Sequence, residues 1–181
     1  MNETMIEGTG GLKLFMRSWR AKGREDAKAR AVVVIVHGFK SHSGYYDWAA
    51  DRLREAGLAV YAFDLRGHGR SEGERLFAEK VTDFTSDVHD VVTIARRENP
   101  GLPVFILGHS AGGVISCMYV LEHQADLAGF ICESFAHEVP APDFALAILK
   151  GISHIAPHAH LLKLEDDDFS RDPAVVERMK N

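Results

Sequence analysis

The chain has 181 residues, of which 46% are apolar and 26% are charged; this is the composition of a globular domain with a hydrophobic core, and it excludes a disordered or fibrous protein. The 21 Lys and Arg side chains against 26 Asp and Glu give a net charge of −5, which argues against nucleic acid as the main partner. No stretch approaches about 18 uninterrupted apolar residues, so the sequence predicts no membrane-spanning helix.

The first 30 residues predict an antiparallel hairpin, in which Leu12–Trp19 forms one strand. Met1–Thr4 shows no basic region followed by an apolar run, so no secretory signal is expected and a cytoplasmic location is the default. The two cysteines, Cys117 and Cys132, are too few for a disulfide framework. Because both lie in apolar segments, they are expected to be buried thiols.

Four apolar segments further along the chain are typical of strands that are buried on both faces. They are Ala31–Val36, Leu58–Phe63, Val104–Leu107 and Leu127–Cys132. Strands of this kind predict a mostly parallel sheet that is covered by helices on both faces.

The segments between these strands show helical periodicity. Apolar residues recur at three- and four-residue steps from Tyr46 to Ala56, and Gly57 is the expected C-terminal cap. A second helix is expected between Val81 and Pro100, and a third from Ser110 to about His123. Alternating strands and helices predict an α/β doubly wound fold.

The pattern changes after Phe135. An apolar stretch interrupted by Pro140, Pro142 and Pro157 is followed by a short helix that Asp172 and Pro173 open. We expect residues 1–136 to form part of a core domain and residues 137–181 to form the start of a separate cap or lid segment.

The chemistry-bearing motif is Gly108–Gly113, where a buried strand turns into a helix. A sharp strand-to-helix turn lifts the Ser110 hydroxyl clear of the sheet, and Gly108 and Gly112 remove side chains that would clash there. The helix also points its free amides at the place where negative charge develops. Ser110 is therefore the candidate nucleophile; the alternative is a tight turn that happens to contain serine.

A second turn, His37–Phe39, follows the first long strand. Both turns come at the carboxyl ends of predicted parallel strands, where α/β folds place their sites. The backbone amides of Phe39 and Ala111 are the candidate oxyanion donors, with His37 and Gly38 as supporting residues. Taken alone, His37–Gly38 would be no more than a turn.

Four stretches of the sequence resemble the α/β-hydrolase superfamily, and within it the monoacylglycerol lipase and lysophospholipase group, also called serine aminopeptidase-like hydrolases. The stretches are His37–Phe39, His42–Tyr46, Asp64–Ser71 and Gly108–Gly113. The resemblance extends over essentially the whole chain and implies an α/β-hydrolase fold.

The resemblance also implies a function, the hydrolysis of small acyl esters without a metal or organic cofactor. It makes Ser110 the nucleophile, and Phe39 and Ala111 the oxyanion donors. It makes the segment after Pro140 the start of a cap that shapes the acyl pocket. The apolar residues from Phe144 to Ile155 are either part of a core or a lid whose apolar face receives acyl chains or contacts membrane lipid. This group often has methionine at the position of Ala111, which alters the shape of the pocket more than the mechanism.

A serine hydrolase of this fold needs an acid and then a histidine after the serine, and nothing after Asp168 resembles another strand that would hold them. About 100 further residues are expected from the usual size of the fold. The chain is therefore expected to be the N-terminal part of a hydrolase, inactive alone, with a sheet edge that favours self-association.

Three alternatives remain open. Glu133, at the end of the fourth strand, is a weak candidate acid, with His137, His154, His158 and His160 downstream in a permitted order. His109 is expected to be a packing residue, and Asp64 and Arg66 are expected to be structural. No metal site is expected, because Pro157 interrupts the helix that would align His154 with His158. The second alternative is a non-catalytic binding or scaffold protein that kept the pocket and lost the base. The third alternative is that another chain supplies the missing strands.

Overall fold

The computed structural model describes residues 1–22, 29–135, 142 and 171–179. The strands within these ranges are β1 (Asn2–Glu7), β2 (Lys13–Trp19), β3 (Ala31–Val36), β4 (Leu58–Phe63), β5 (Val104–His109) and β6 (Gly129–Glu133). The helices are α1 (Asp47–Glu55), α2 (Val81–Glu98), α3 (Ala111–Glu122) and α4 (Pro173–Met179). The strands form a 6-stranded sheet in the order β1-β2-β4-β3-β5-β6.

The sheet is antiparallel at one side and parallel elsewhere. β1 and β2 form the expected hairpin, and β2 pairs antiparallel with β4. β4, β3, β5 and β6 run parallel, which confirms the mostly parallel sheet. Because Val36 pairs with both Phe63 and Gly108, the chain leaves three neighbouring strands at one edge of the sheet. That edge holds the two turns singled out by the sequence.

The two faces of the sheet are covered by different helices, as expected. α2 and α3 pack with one face around a core that includes Val34, Val91 and Ile115, and α1 packs on the other face through Ala50. All six residues of β3 are buried. Burial on both faces explains why this strand consists only of alanine, valine and isoleucine.

Element boundaries differ slightly from the sequence prediction. β5 extends to His109, beyond the predicted end at Leu107, because Gly108 still pairs with Val36 in the ladder. α1 ends at Glu55, and Gly57 follows its cap with a φ of 84°. Pairing of backbone groups does not depend on side-chain hydrophobicity, which is why an apolar pattern underestimates strand length.

The prediction of buried thiols is wrong for Cys132, which is exposed, and Cys117 is only partly buried. The same holds for the expected burial of the fourth strand on both faces, since Ile131 is 48% exposed. The reason is the strand order: β6 is the last strand of the described sheet and pairs only with β5.

The chain divides into two compact units, Met1–His137 and Glu138–Asn181. The described part of the second unit includes α4, which begins at the Pro173 predicted to open a short helix. The other residues assigned to a cap, and all four downstream histidines, lie outside the described residues. Within the described ranges, none of the helices combines the length and apolarity needed to cross a membrane.

Candidate active site

Ser110 occupies a strained turn between β5 and α3. Its backbone has φ 54° and ψ −121°, a region that residues other than glycine rarely adopt and that costs about 1–3 kcal/mol. The Ser110 amide donates to the Glu133 carbonyl at 2.9 Å, and the Ser110 carbonyl accepts from the Gly113 amide at 2.9 Å. The side chain is partly exposed, so the turn presents a hydroxyl at the surface of the core unit.

The glycines on either side of Ser110 lie where no side chain fits. A Cβ on Gly112 would lie 2.2 Å from the Val36 carbonyl oxygen and 2.3 Å from that of His37. A Cβ on Gly108 would lie 2.7 Å from the Gly112 carbonyl oxygen. Both contacts are with backbone, which cannot move aside, so the packing of α3 against the ends of β3 and β5 requires glycine at both positions.

The turn after β3 lies directly against the serine. A Cβ on Gly38 would be 3.0 Å from the Ser110 Cβ and 3.2 Å from His109 Nδ1. Ala111 is the first residue of α3, so its amide has no acceptor within the helix. In the part of the chain that the structure describes, no group accepts a hydrogen bond from the Phe39 or Ala111 amide. Among the described residues, two amides without an acceptor thus flank the serine.

His37 fixes the turn after β3 through both ring nitrogens. Nε2 accepts from the Leu65 amide at 2.9 Å, so Nδ1 carries the proton and donates to the Gly38 carbonyl at 2.7 Å. Burial lowers the pKa of His37 to about 4. The ring is therefore neutral near pH 7 and acts as a link between two loops, with no free nitrogen to take a proton from Ser110.

Asp64 holds the next part of the same loop. Its buried carboxylate accepts from the Ser43 amide at 2.7 Å and from the Arg70 amide at 2.8 Å. This joins the loop after β4 to the chain that follows the His37–Phe39 turn. Sequence reasoning interpreted Asp64 as structural without naming its partners, and only the position of the residue at a strand end pointed toward the site.

Glu133 and His109 lie side by side, because His109 of β5 is in register with Glu133 of β6. The Glu133 side chain is exposed, and its backbone carbonyl is the acceptor for the Ser110 amide. The His109 ring lies edge-on to the Tyr46 ring, with centroids 6.4 Å apart. Glu133 is thus adjacent to the turn that contains Ser110, and its role as an acid remains a prediction.

Tyr46 is a residue of this site that sequence reasoning did not assign. It was noted only for helical periodicity and as part of the His42–Tyr46 stretch. Its ring lies beside that of His109, the residue before Ser110, and burial raises the pKa of its hydroxyl to about 12. As for metal binding, nowhere in the described ranges do three or more His, Cys, Asp or Glu side chains lie where they could hold an ion.

The arrangement is chemically suited to an acyl-transfer reaction. A partly exposed hydroxyl lies at the end of a parallel strand, beside the positive end of the α3 dipole and two amides that no group of the described residues accepts from. Donors in this arrangement stabilise an oxygen that becomes negative when the hydroxyl oxygen attacks a carbonyl carbon.

Comparison with known proteins agrees with this geometry. Residues 27–181 match the family described as serine aminopeptidase, S33. The monoacylglycerol lipase of Mycolicibacterium smegmatis (strain ATCC 700084 / mc(2)155) is 35% identical over 182 residues, covering 99% of this chain and 63% of that protein. The monoglyceride lipase of Homo sapiens is 34% identical over 170 residues, covering 92% of this chain and 55% of that protein.

A solved structure shows the same architecture. The crystal structure of Paleococcus ferrophilus monoacylglycerol lipase superimposes with a TM-score of 0.74 at 31% identity, covering 91% of this chain and 61% of that one. The chain therefore spans between 55% and 63% of the length of these relatives.

Proposed function

Because the chain belongs to the serine aminopeptidase S33 family of α/β-hydrolases, we propose that it supplies the nucleophile and oxyanion donors of a carboxylic-ester hydrolase of the monoacylglycerol lipase or lysophospholipase type. The observation that carries the proposal is the φ of 54° at Ser110 beside the turn that contains Gly38. A strained serine packed against a second turn with a free amide has a catalytic use and no evident structural one.

In the proposed reaction, Ser110 Oγ attacks the acyl carbonyl carbon and the carbonyl π electrons move to the oxygen. The amides of Phe39 and Ala111 donate to that oxyanion. The ester C–O bond then breaks, and the alcohol leaves with the proton that a general base took from Ser110. Water attacks the acyl-enzyme, the carboxylic acid is released, and Ser110 regains its proton.

The general base is expected to be a histidine, oriented by an acid that follows Ser110 in the chain. His37 does not fit this role, because both its nitrogens are already hydrogen-bonded. We expect the 181-residue chain alone to show little turnover, since oxyanion stabilisation without a base leaves only residual catalysis.

Two further interactions belong to the proposal. Peripheral contact with a membrane through the cap would deliver lipid esters to the site, since acyl esters of this class partition into lipid. Self-association through the edge of β6 that pairs with no other strand of the described residues is supported by the exposure of Ile131 and Cys132 on that strand.

The test uses protein expressed from the whole reading frame that contains this chain. A fluorophosphonate probe should label Ser110, forming an O–P bond with loss of fluoride, and the protein should hydrolyse 1-monooleoylglycerol. Ser110→Ala should abolish both. Ser116→Ala is the matched control, because Ser116 is a buried serine of α3 whose hydroxyl has no partner within the described residues.

Three outcomes separate the alternatives. Labelling and hydrolysis that survive in Ser110→Ala would contradict the proposed nucleophile. An unlabelled protein that still binds the monoglyceride would favour the non-catalytic binding protein. A burst of p-nitrophenyl ester hydrolysis by the 181-residue chain, lost in Ser110→Ala, would contradict the expectation that this chain is inactive alone.

A further inference from the structure

Two histidines lie next to each other between α2 and α3, and the proposed reaction does not use them. His89 belongs to α2, and His123 caps the C-terminus of α3. Their ring centroids are 5.0 Å apart, with an angle of 34° between the ring planes. His89 is exposed and the His123 side chain is 32% exposed, so both rings are within reach of a small ion in solvent.

Each of the two rings is oriented through its Nδ1 atom. His89 Nδ1 lies 3.2 Å from the buried hydroxyl of Tyr119, and His123 Nδ1 lies 3.7 Å from Asp126 Oδ2. The Tyr119 ring also stacks on the His123 ring, with centroids 4.4 Å apart, and the other oxygen of Asp126 pairs with Arg96. Histidines that bind a metal through one ring nitrogen are usually oriented in this way through the other, often by a carboxylate.

The contacts made by Nδ1 also determine where Nε2 is directed, because the two nitrogens lie on opposite sides of an imidazole ring. His89 Nε2 is directed along α2 toward Thr93, whose hydroxyl oxygen lies 3.5 Å away. His123 Nε2 is directed away from Asp126, which pairs with Arg96 about one turn beyond Thr93. A nitrogen directed away from Asp126 is therefore directed back toward His89, so the two Nε2 atoms approach each other.

The separation of the two rings fits a shared metal ion. A zinc ion binds imidazole nitrogens at about 2.1 Å with bond angles of about 110°, which places the centroids of two coordinated rings about 5.2 Å apart. The centroids of His89 and His123 are 5.0 Å apart. Small side-chain rotations are enough to bring both Nε2 atoms to one ion.

We propose that His89 and His123 bind a divalent transition-metal ion such as Zn²⁺ and so link α2 to α3. Imidazole suits such ions, whereas Mg²⁺ and Ca²⁺ prefer oxygen ligands. No group of three or more ligating side chains is found within the described residues, so water completes the coordination. The inference is independent of the proposed hydrolase function, because His123 lies at the opposite end of α3 from Ser110.

The first measurement needs no variant. ZnCl₂ is titrated into protein expressed from the whole reading frame, and the ¹⁵N signals of the histidine rings are recorded by NMR. We expect the Nε2 signals of His89 and His123 to shift together, with the same zinc concentration at half of the change, and MgCl₂ to shift neither. Signals that do not move, or that move at zinc concentrations more than about tenfold apart, would overturn the shared site.

The second measurement compares variants by isothermal titration calorimetry with ZnCl₂. His89→Gln and His123→Gln each remove one ligand and should weaken zinc binding at least about tenfold, because a single imidazole remains. The matched control is His42→Gln, since His42 Nδ1 also has a partner, the Gly44 amide at 3.1 Å, and its ring lies against Tyr45. This variant should keep the affinity within about twofold, because distant sites act independently. Equal losses in the three variants would overturn the proposal.

Thermal unfolding provides an independent measurement. An ion that binds only the native state raises Tm, and at a zinc concentration about 100 times the dissociation constant the rise should be about 5–10 °C. The rise should disappear in both His89→Gln and His123→Gln. A rise that persists in these variants, or an unchanged Tm of the unchanged protein in saturating ZnCl₂, would contradict a metal link between α2 and α3.

Discussion

His37 is a buried residue whose side chain bridges the turn after β3 and the loop after β4. Both bonds need a neutral ring with the proton on Nδ1, since Nε2 must accept from Leu65 and Nδ1 must donate to Gly38. Burial lowers the pKa of His37 to about 4 from an ordinary value of 6.5. The site is therefore built around a histidine that resists protonation.

This predicts a pH dependence of stability. In the unfolded chain His37 takes up a proton as the pH falls through 6.5, whereas in the native protein it stays neutral until about pH 4. The unfolded state binds more protons in this window, so the free energy of unfolding should decrease from pH 6.5 to 4, by up to about 3 kcal/mol from this group, and the contribution should level off below pH 4.

Urea unfolding at several pH values between 7 and 4 measures the effect. The matched variant is His37→Gln, which should be less stable at pH 7 and should show a smaller decrease in stability across the window. Equal pH slopes in the two proteins would contradict the assigned pKa and the neutral role of His37.

At the scale of elements, a buried ion pair joins three segments of the chain. Arg66 donates from Nε and Nη2 to the Asp87 carboxylate of α2 at 2.6 and 2.7 Å, and from Nη2 to the Thr9 carbonyl at 3.1 Å. Thr9 begins the 3₁₀ turn of the β1–β2 hairpin. The structural role expected for Arg66 thus consists of holding the loop after β4 against α2 and the hairpin.

Breaking this pair should destabilise the protein strongly. Asp87→Asn removes the carboxylate that binds both Nε and Nη2 of the buried Arg66 and leaves only the more distant Asp83, at 3.6 Å, so we expect the free energy of unfolding to fall by about 3 kcal/mol. The control is Asp126→Asn, which removes the partner of Arg96 in an exposed pair and should cost less than about 1 kcal/mol. Urea denaturation measures the free energy of unfolding of both variants. An equal decrease in the two would contradict the larger contribution that we assign to the buried pair.

At the scale of the whole molecule, the described sheet is unevenly protected at its two ends. The β1–β2 hairpin ends it on one side, with Glu3 of β1 paired to Arg17 and Arg70. On the other side β6 pairs only with β5 in the described part of the chain, and Ile131 is 48% exposed there. Charged side chains on an edge strand discourage pairing with another molecule, and exposed apolar ones favour it.

The 181-residue chain is therefore expected to self-associate through β6. Ile131→Lys should reduce the weight-average mass in sedimentation equilibrium by placing a charge on the strand. Trp48→Lys is the control, because Trp48 is an exposed apolar residue of α1 that lies outside the sheet edge. An unchanged mass in Ile131→Lys, or an equal reduction in both variants, would show that β6 is not the contact.

The amino-acid sequence alone was sufficient for the order of the elements and for the position of the turn that contains Ser110. The continuous β-branched run at Ala31–Val36 and the helical periodicity before Gly57 are local patterns, and a local pattern fixes whether a segment becomes strand or helix. The turn at Ser110 is predictable for the same reason, because it too is a local pattern. Gly108 and Gly112 stand two residues on either side of Ser110, and this spacing predicts a tight turn in which no other side chain fits.

The contacts that complete the site were decided only by the tertiary structure. His37 meets Leu65 and Ser43 meets Asp64 across 28 and 21 residues of chain, and no periodicity records which loops come together at the end of a sheet. The exposure of Cys132 likewise depends on the order of the strands, because the same apolar sequence can form a central strand or an edge strand. Whether a segment becomes a strand, a helix or a turn depends on the residues within it, whereas which segments contact each other depends on how the whole sheet is assembled.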